Sequence, residues 1–256
     1  MVVTVEISGV LEEKLRRLVD LGVYSSVAEA VRDAVRNMLS STDMREIALK
    51  IYTTKNASFQ YATYFAEETF DSMIEYMLSK EVVPLIGVLD RKDVEILDKG
   101  VYLVDPLTIH ILYKSELADI ATKSRNGGIK MLTPEKSRSY IQIAEARRIW
   151  RGMDPVRIVA TAPIPVPSEM PRSLITVIEE AIINYADATD TMIISDDART
   201  RLIARERGVE AVSSLSILLT GMEEGIIDPV RASEVIYGLR MIPYLLPDHI
   251  VGELVK

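Results

Sequence analysis

Residues 191–228 of the chain are TMIISDDARTRLIARERGVEAVSSLSILLTGMEEGIID. In this stretch a short apolar run ends in two adjacent aspartates, Asp196 and Asp197, and a basic helical pattern follows directly. Carboxylates that follow a buried strand lie where open α/β sheets bind their ligands. An aspartate that precedes a helix is also a good N-cap, because its carboxylate accepts backbone hydrogen bonds there. The stretch therefore indicates either one edge of a ligand site or a capped helix.

The same strand-to-helix step recurs upstream of these aspartates. Apolar runs alternate with helical patterns, which is typical of a mainly parallel sheet. The predicted strands are residues 100–104, 129–132, 157–161 and 191–195. We therefore predict an α/β domain over residues 99–256.

Further carboxylates fall at the same predicted edge of the sheet. Asp105 directly follows the first strand, and Glu145 lies on the helix after the second. Glu179 lies on the helix that leads into the last strand. Each of these residues alone is more often a helix cap or a solvated side chain than a catalytic group.

The closing phrase SDDARTRLIARERGVEAVSSLSILLTGMEEGII resembles one subgroup of the PIN-domain nucleases along its whole length. The resemblance implies an endoribonuclease that uses Mg²⁺ or Mn²⁺ to cleave RNA. It implies catalytic roles for Asp105, Glu145, Glu179 and Asp196, metal coordination by Asp105, Glu179, Asp196 and Asp197, and substrate contact by Ser213 and Ser214. The basic helix that follows Asp197 would supply a groove for RNA through Arg199, Arg201, Arg205 and Arg207.

The first 42 residues form a different module. VVTVEIS, residues 2–8, alternates apolar and polar side chains as a half-buried strand does, and two amphipathic helical patterns follow. One strand and two helices cannot bury their apolar faces alone. A second copy of the chain would supply a partner strand and complete a two-stranded ribbon over four helices.

This order and the phrase GVYSSVAEAVRDAV, residues 22–35, resemble the ribbon-helix-helix DNA-binding family. The resemblance implies a homodimer, or a larger even-numbered oligomer, whose ribbon enters the major groove of DNA. It places Thr4 and Glu6 on the ribbon as base contacts, and Ser25 and Ser26 at a backbone phosphate. The alternative is a module that only dimerises.

The middle of the chain, residues 43–98, is predicted to be three short helices broken near Asn56 and Glu67. The phrases ALKIY, ASFQYATYFA and FDSMIEYMLSKEVVPLI resemble a family of antitoxins that are encoded beside nuclease toxins. Aromatic residues at helical intervals in this segment indicate core packing or a dimer contact.

Bulk properties exclude several classes of protein. A net charge of −8 and a pI near 5.0 argue against a general polyanion binder. The chain has no cysteine, so it has neither a disulfide framework nor a cysteine zinc site. It lacks an apolar run of about 18 residues and an N-terminal signal peptide, so we expect a cytoplasmic protein without a membrane partner.

Two functions follow from the order of the three modules. The first is a toxin–antitoxin-like fusion in which a DNA-binding regulator is joined to a PIN-type ribonuclease that the same chain restrains. The second is a non-catalytic DNA-binding transcriptional regulator whose degenerate PIN fold serves oligomerisation or sensing. A third interpretation, a scaffold without nucleic-acid binding, also remains open.

Overall fold

The computed structural model describes residues 4–98, 100–115, 117–124, 129–138, 140 and 159–254. The chain divides into two compact units, Met1–Met44 and Arg45–Lys256. The middle segment that the sequence separates from the α/β domain belongs to the same compact unit as that domain.

The first unit contains the two predicted amphipathic helices. Helix α1 spans Val10–Asp20, and helix α2 spans Val27–Ser41 with Ser26 as its N-cap. Residues 4–8 belong to no strand in the single chain. Since a β-ribbon of this kind needs one strand from each of two chains, the predicted strand stays a prediction.

The second unit contains a sheet of five strands among the described residues, and all of them run parallel. The strands are Gly100–Val104 (β1), Ile129–Pro134 (β2), Val159–Ala162 (β3), Ile193–Ile194 (β4) and Ala211–Val212 (β5). Their order across the sheet is β3-β2-β1-β4-β5. The predicted α/β class and its parallel sheet are therefore confirmed. The sequence pattern missed β5, whose two apolar residues lie between Glu210 and Ser213, whereas β4 is part of a longer apolar run over residues 192–194.

Helices connect and flank these strands. They are Met44–Lys55 (α3), Phe59–Phe65 (α4), Phe70–Ser79 (α5), Pro106–Lys114 (α6), Leu117–Lys123 (α7), Val177–Thr189 (α8), Ala198–Glu206 (α9), Leu215–Glu223 (α10), Pro229–Met241 (α11) and Asp248–Leu254 (α12). The breaks predicted near Asn56 and Glu67 are confirmed, and both residues have a φ of 56°. The helical pattern of residues 107–124 predicts one continuous helix, and this prediction is wrong, since α6 ends at Lys114 and α7 begins at Leu117.

Two hydrophobic cores form on the two faces of the sheet. Along β1, Tyr102 and Val104 belong to the larger core, and Leu103 belongs to the smaller one on the opposite face. The larger core also includes Tyr52 of α3 and Phe59 of α4. Residues 45–98 and the sheet therefore share one core.

A buried ion pair joins this middle segment to the end of β4. Arg201 of α9 is 1% exposed and contacts Asp93, with 3.1 Å between Nη2 and Oδ2. The same guanidinium donates to the carbonyl oxygens of Ser195 (2.6 Å) and Gly87. A buried guanidinium is tolerated only when its donors are paired, so these contacts set the position of both segments.

None of the helices in the described part of the chain is both long enough and apolar enough to cross a membrane.

Replacing Arg201 with Met removes the cation and leaves Asp93 buried. We expect the free energy of unfolding to fall by about 3–5 kcal/mol. The matched control is Arg231→Met, because Arg231 pairs with Glu234 on the surface of α11 and that pair is worth at most about 1 kcal/mol. Urea unfolding measures both losses. Equal losses in the two variants would contradict the role given to Arg201.

Candidate functional site

The acidic residues lie where the strand order of the sheet reverses. The chain leaves β1 towards β2 on one side, and leaves β4 towards β5 on the other. Asp105 directly follows β1, while Asp196 and Asp197 follow β4 after one serine. A reversal of this kind opens a crevice at the carboxyl ends of the strands, which is the usual ligand site of open α/β sheets.

Asp105 and Asp196 each have one oxygen held by the protein and one without a protein partner. Asp105 caps α6, and its Oδ1 accepts from the backbone N–H of Thr108 at 2.8 Å. Oδ1 of Asp196 accepts from the Ser214 backbone N–H and from the Tyr244 hydroxyl, both at 2.9 Å. Oδ2 of each aspartate is buried and has no hydrogen-bond partner in the described part of the chain.

Glu179 and Asp197 use both of their carboxylate oxygens within the protein. Glu179 lies in the first turn of α8 and accepts from Thr200, Ser58 (3.0 Å) and the Thr176 backbone N–H (2.6 Å). Asp197 caps α9 through the Arg199 and Thr200 backbone N–H groups. Its other oxygen accepts from the Gln60 backbone N–H at 3.1 Å.

Burial raises the pKa of all four carboxyls. The pKa of Asp105 rises to about 7, because burial disfavours the charged form and the neighbouring Asp197 and Asp196 carboxylates add to the rise. Burial and the Asp197 charge raise the pKa of Glu179, and burial raises the pKa of Asp196 and of Asp197. Clustered buried acids with raised pKa values are typical of functional sites.

Glu145, the remaining predicted catalytic acid, lies outside the described residues. The two serines predicted to contact substrate follow β5, and both are fully buried. The backbone N–H of Ser214 holds Asp196, and that of Ser213 donates to the Asp93 carbonyl at 2.8 Å.

Three residues that contact the acids were not found from the sequence. Ser58 and Gln60 come from the start of α4, and Tyr244 follows α11. They reach Glu179, Asp197 and Asp196 respectively. These contacts join positions 48 to 137 residues apart, and no local spacing in the sequence indicates them.

Most arginines of the predicted basic groove form ion pairs with carboxylates of the same chain. Arg201 and Arg205 both contact Asp93, and Arg207 contacts Glu180 at 2.9 Å. Three of the four arginines of this helix therefore form ion pairs with the chain's own carboxylates, and Arg199 is half-buried.

Asp105, Glu179, Asp196 and Asp197 are called the acidic centre below. Its donor chemistry fits Mg²⁺ or Mn²⁺, because two of its buried carboxylate oxygens have no partner among the residues that the structure describes. The present arrangement does not gather the ligands, since no group of three or more His, Asp or Glu side chains in the described ranges is placed to hold a metal ion.

The predicted DNA contacts lie in the first unit. Thr4 and Glu6 are exposed. Ser26 accepts from the Glu29 backbone N–H, and the Ser25 backbone N–H donates to the Glu29 carboxylate at 2.7 Å. The Ser25 hydroxyl donates to the same carboxylate, and these hydrogen bonds from Ser25 lower the pKa of Glu29.

The chain matches no protein-family model, no curated protein and no solved structure. The resemblances to families therefore rest on the residue patterns themselves.

Replacing Asp105 with Asn removes a buried charge and keeps the oxygen that caps α6. Because the pKa rises from 3.8 to about 7 on folding, the folded state holds this proton more tightly than the unfolded state. The wild type should lose stability from about pH 4 to about pH 7 through this group. We expect Asp105→Asn to raise the free energy of unfolding at pH 8 by on the order of 3 kcal/mol, and to change it little at pH 4. Urea unfolding in EDTA measures both values.

Asp228→Asn is the control for this substitution. Asp228 precedes a proline and caps α11, as Asp105 does for α6, but it is exposed. A stabilisation at pH 8 no larger than that of Asp228→Asn would contradict the prediction.

Proposed function

We propose that this protein is a toxin–antitoxin-like fusion, in which a DNA-binding regulator is joined to a PIN-type, metal-dependent ribonuclease domain restrained by the same chain. One observation carries the proposal. Asp105 and Asp196 each have a buried carboxylate oxygen without a hydrogen-bond partner in the described ranges of the chain, at the point where the strand order reverses. Unpaired buried acceptors are costly, and a divalent cation would satisfy both.

Asp105 and Asp196 would hold the cation, with Glu179 and Asp197 joining them after release from α4. A bound Mg²⁺ or Mn²⁺ would activate water and neutralise charge on the scissile phosphate. The strand ends hold Asp105 and Asp196 through Thr108 and Ser214, so their oxygens need little reorganisation. Ser213 and Ser214 would lie near the substrate only when the crevice is open.

Restraint by the same chain explains why the acids are closed to solvent. Asp105, Glu179 and Asp196 are fully buried, and an RNA strand cannot reach them in this conformation. A fused inhibitor acts at a high effective concentration, on the order of millimolar or above, provided that it can span the site.

The second candidate is a non-catalytic DNA-binding regulator, and the arginines favour it. A ribonuclease needs cations for its substrate, whereas Arg201, Arg205 and Arg207 are paired internally. In this alternative the acidic centre is a remnant, and the second unit serves oligomerisation or sensing.

The first unit is proposed to form a homodimer, or a larger even-numbered oligomer, that binds DNA. Its support is an apolar surface that one chain leaves uncovered. Val10, Leu21, Val35 and Met38 are each at least 45% exposed, and Ala30 is the one buried residue among those described in this unit. Apolar surface of this extent indicates a partner.

We expect full-length protein to cleave single-stranded RNA weakly in Mn²⁺ and not in EDTA. Asp196→Asn should lower the rate at least a hundredfold, because it removes a metal ligand. Single-turnover assays with excess protein and labelled RNA measure the rate. Equal cleavage by the wild type and Asp196→Asn would reveal a contaminating nuclease. No cleavage and no Mn²⁺ binding would favour the non-catalytic regulator.

We expect the full chain to sediment as a dimer or a larger even-numbered oligomer, and to retain a subset of a randomised duplex DNA pool. Val35→Asp should dissociate the oligomer and abolish retention, since it places a charge on the apolar face of α2. Val230→Asp, at an exposed valine of α11, is the control. A monomeric wild type would contradict the assignment, and an oligomer that retains no duplex would favour the dimerisation module.

A further inference from the structure

Residues 57–66, called the covering segment below, close the acidic centre. The segment contains α4 and lies between Asn56 and Glu67, both of which have a left-handed backbone with a φ of 56°. Few non-glycine residues adopt this conformation, and here it turns the chain sharply before and after α4.

The covering segment donates hydrogen bonds to Glu179 and Asp197, the two acids whose carboxylate oxygens all accept hydrogen bonds within the protein. The Ser58 hydroxyl donates to Oε2 of Glu179 at 3.0 Å. The Gln60 backbone N–H donates to Oδ2 of Asp197 at 3.1 Å. Both donors are neutral, so they compensate the buried carboxylates only in part, and both carboxyls keep a raised pKa.

The segment is attached more weakly on its outer side than on its inner side. Phe59 is fully buried and packs near Phe70, with 6.1 Å between the ring centroids. On the outer side Tyr64 is 49% exposed and stacks on Tyr140 at 5.0 Å. The stack can be removed at its exposed partner, Tyr64, whereas Tyr140 packs against the smaller core and interacts electrostatically with Glu179.

One polar atom of the segment has no partner. Gln60 is buried, and its Oε1 accepts from the Leu107 backbone N–H at 3.1 Å. Its Nε2 has no hydrogen-bond partner in the parts of the chain that the structure describes. The free Oδ2 atoms of Asp105 and Asp196 are likewise unpaired, so the closed centre leaves both donors and acceptors unsatisfied. Such an arrangement stores free energy that opening would release.

We propose that the covering segment is a displaceable cover that competes with a divalent cation for the oxygens of Glu179 and Asp197. This inference rests on the proposed function, because it assigns the restraint of that same site to one segment. A carboxylate oxygen that accepts a hydrogen bond from Ser58 or Gln60 is less available to coordinate a cation. The apparent metal affinity is therefore the affinity of the open state reduced by the fraction of open molecules. Weakening the cover raises that fraction.

Mn²⁺ binding by full-length protein, followed by isothermal titration calorimetry, tests the competition. Tyr64→Ala removes the outer stack, and we expect it to tighten Mn²⁺ binding about three- to tenfold. Ser58→Ala removes the donor to Glu179, and we expect about tenfold tighter binding. Neither substitution alters one of the proposed ligands.

Matched controls separate competition from general loosening. Tyr237→Ala removes an exposed tyrosine from α11. Thr69→Ala removes the N-cap of α5, as Ser58→Ala removes the N-cap of α4, without contact to an acid. Both controls should bind Mn²⁺ as the wild type does.

Hydrogen exchange gives a second measurement that needs no variant. Mn²⁺ should speed amide exchange in residues 60–66 of the wild type, because the cation favours the open state. A ligand that merely stabilised the closed fold would slow exchange there instead.

The outcomes distinguish the two proposals. Tighter binding by Tyr64→Ala and Ser58→Ala, with faster exchange in the wild type, supports the cover. Equal Mn²⁺ affinity in all five proteins, with slower exchange on binding, overturns the cover and leaves the metal site standing. No binding by any of them overturns both.

Discussion

The buried contact between Arg201 and Asp93 is the interaction on which the rest of the second unit depends. Arg201 holds the carbonyl oxygens of Ser195 and Gly87, and the Gly87 N–H in turn donates to the Asp196 carbonyl at 2.8 Å. Gly87 has a φ of 101°, and a Cβ there would lie 2.7 Å from the Leu245 carbonyl oxygen. One guanidinium thus orders the end of β4, the middle segment and the chain after α11. The acidic centre is built on that frame.

Within that frame Asp105, Glu179, Asp196 and Asp197 are enclosed in the protein interior. Desolvation makes each buried carboxylate costly, and the protein compensates with backbone N–H groups and hydroxyls instead of cations. Arg201, which lies four residues after Asp197, pairs with Asp93, and its charge only partly offsets the rise that burial causes in the pKa of Asp196. Neutral donors leave much of the negative charge of the buried carboxylates uncompensated. A metal cation would compensate that charge, and in our proposal it competes with the covering segment for the carboxylate oxygens.

Local patterns predicted much of the fold and part of the site. The strand–helix alternation and the positions of Asp105 and Asp196 after their strands follow from periodicity, and the helix breaks at Asn56 and Glu67 follow from the loss of a helical pattern. The contacts of Ser58, Gln60 and Tyr244 could not be predicted in this way, because they depend on how distant segments pack. The same holds for the arginines, since charge alone does not show which carboxylate each one meets.

The shared core of residues 45–98 and the sheet has a consequence for how activity could be controlled over time. Tyr52 and Phe59 pack in the same hydrophobic cluster as Val104. Residues 45–98 are therefore part of the same folded unit as the sheet, and their removal would expose that core. A separate inhibitor can be diluted or degraded faster than its target. In the proposed fusion, inhibitor and target would always be made in equal number and would turn over together. Relief would then depend on a reversible local opening within each molecule, independent of protein concentration.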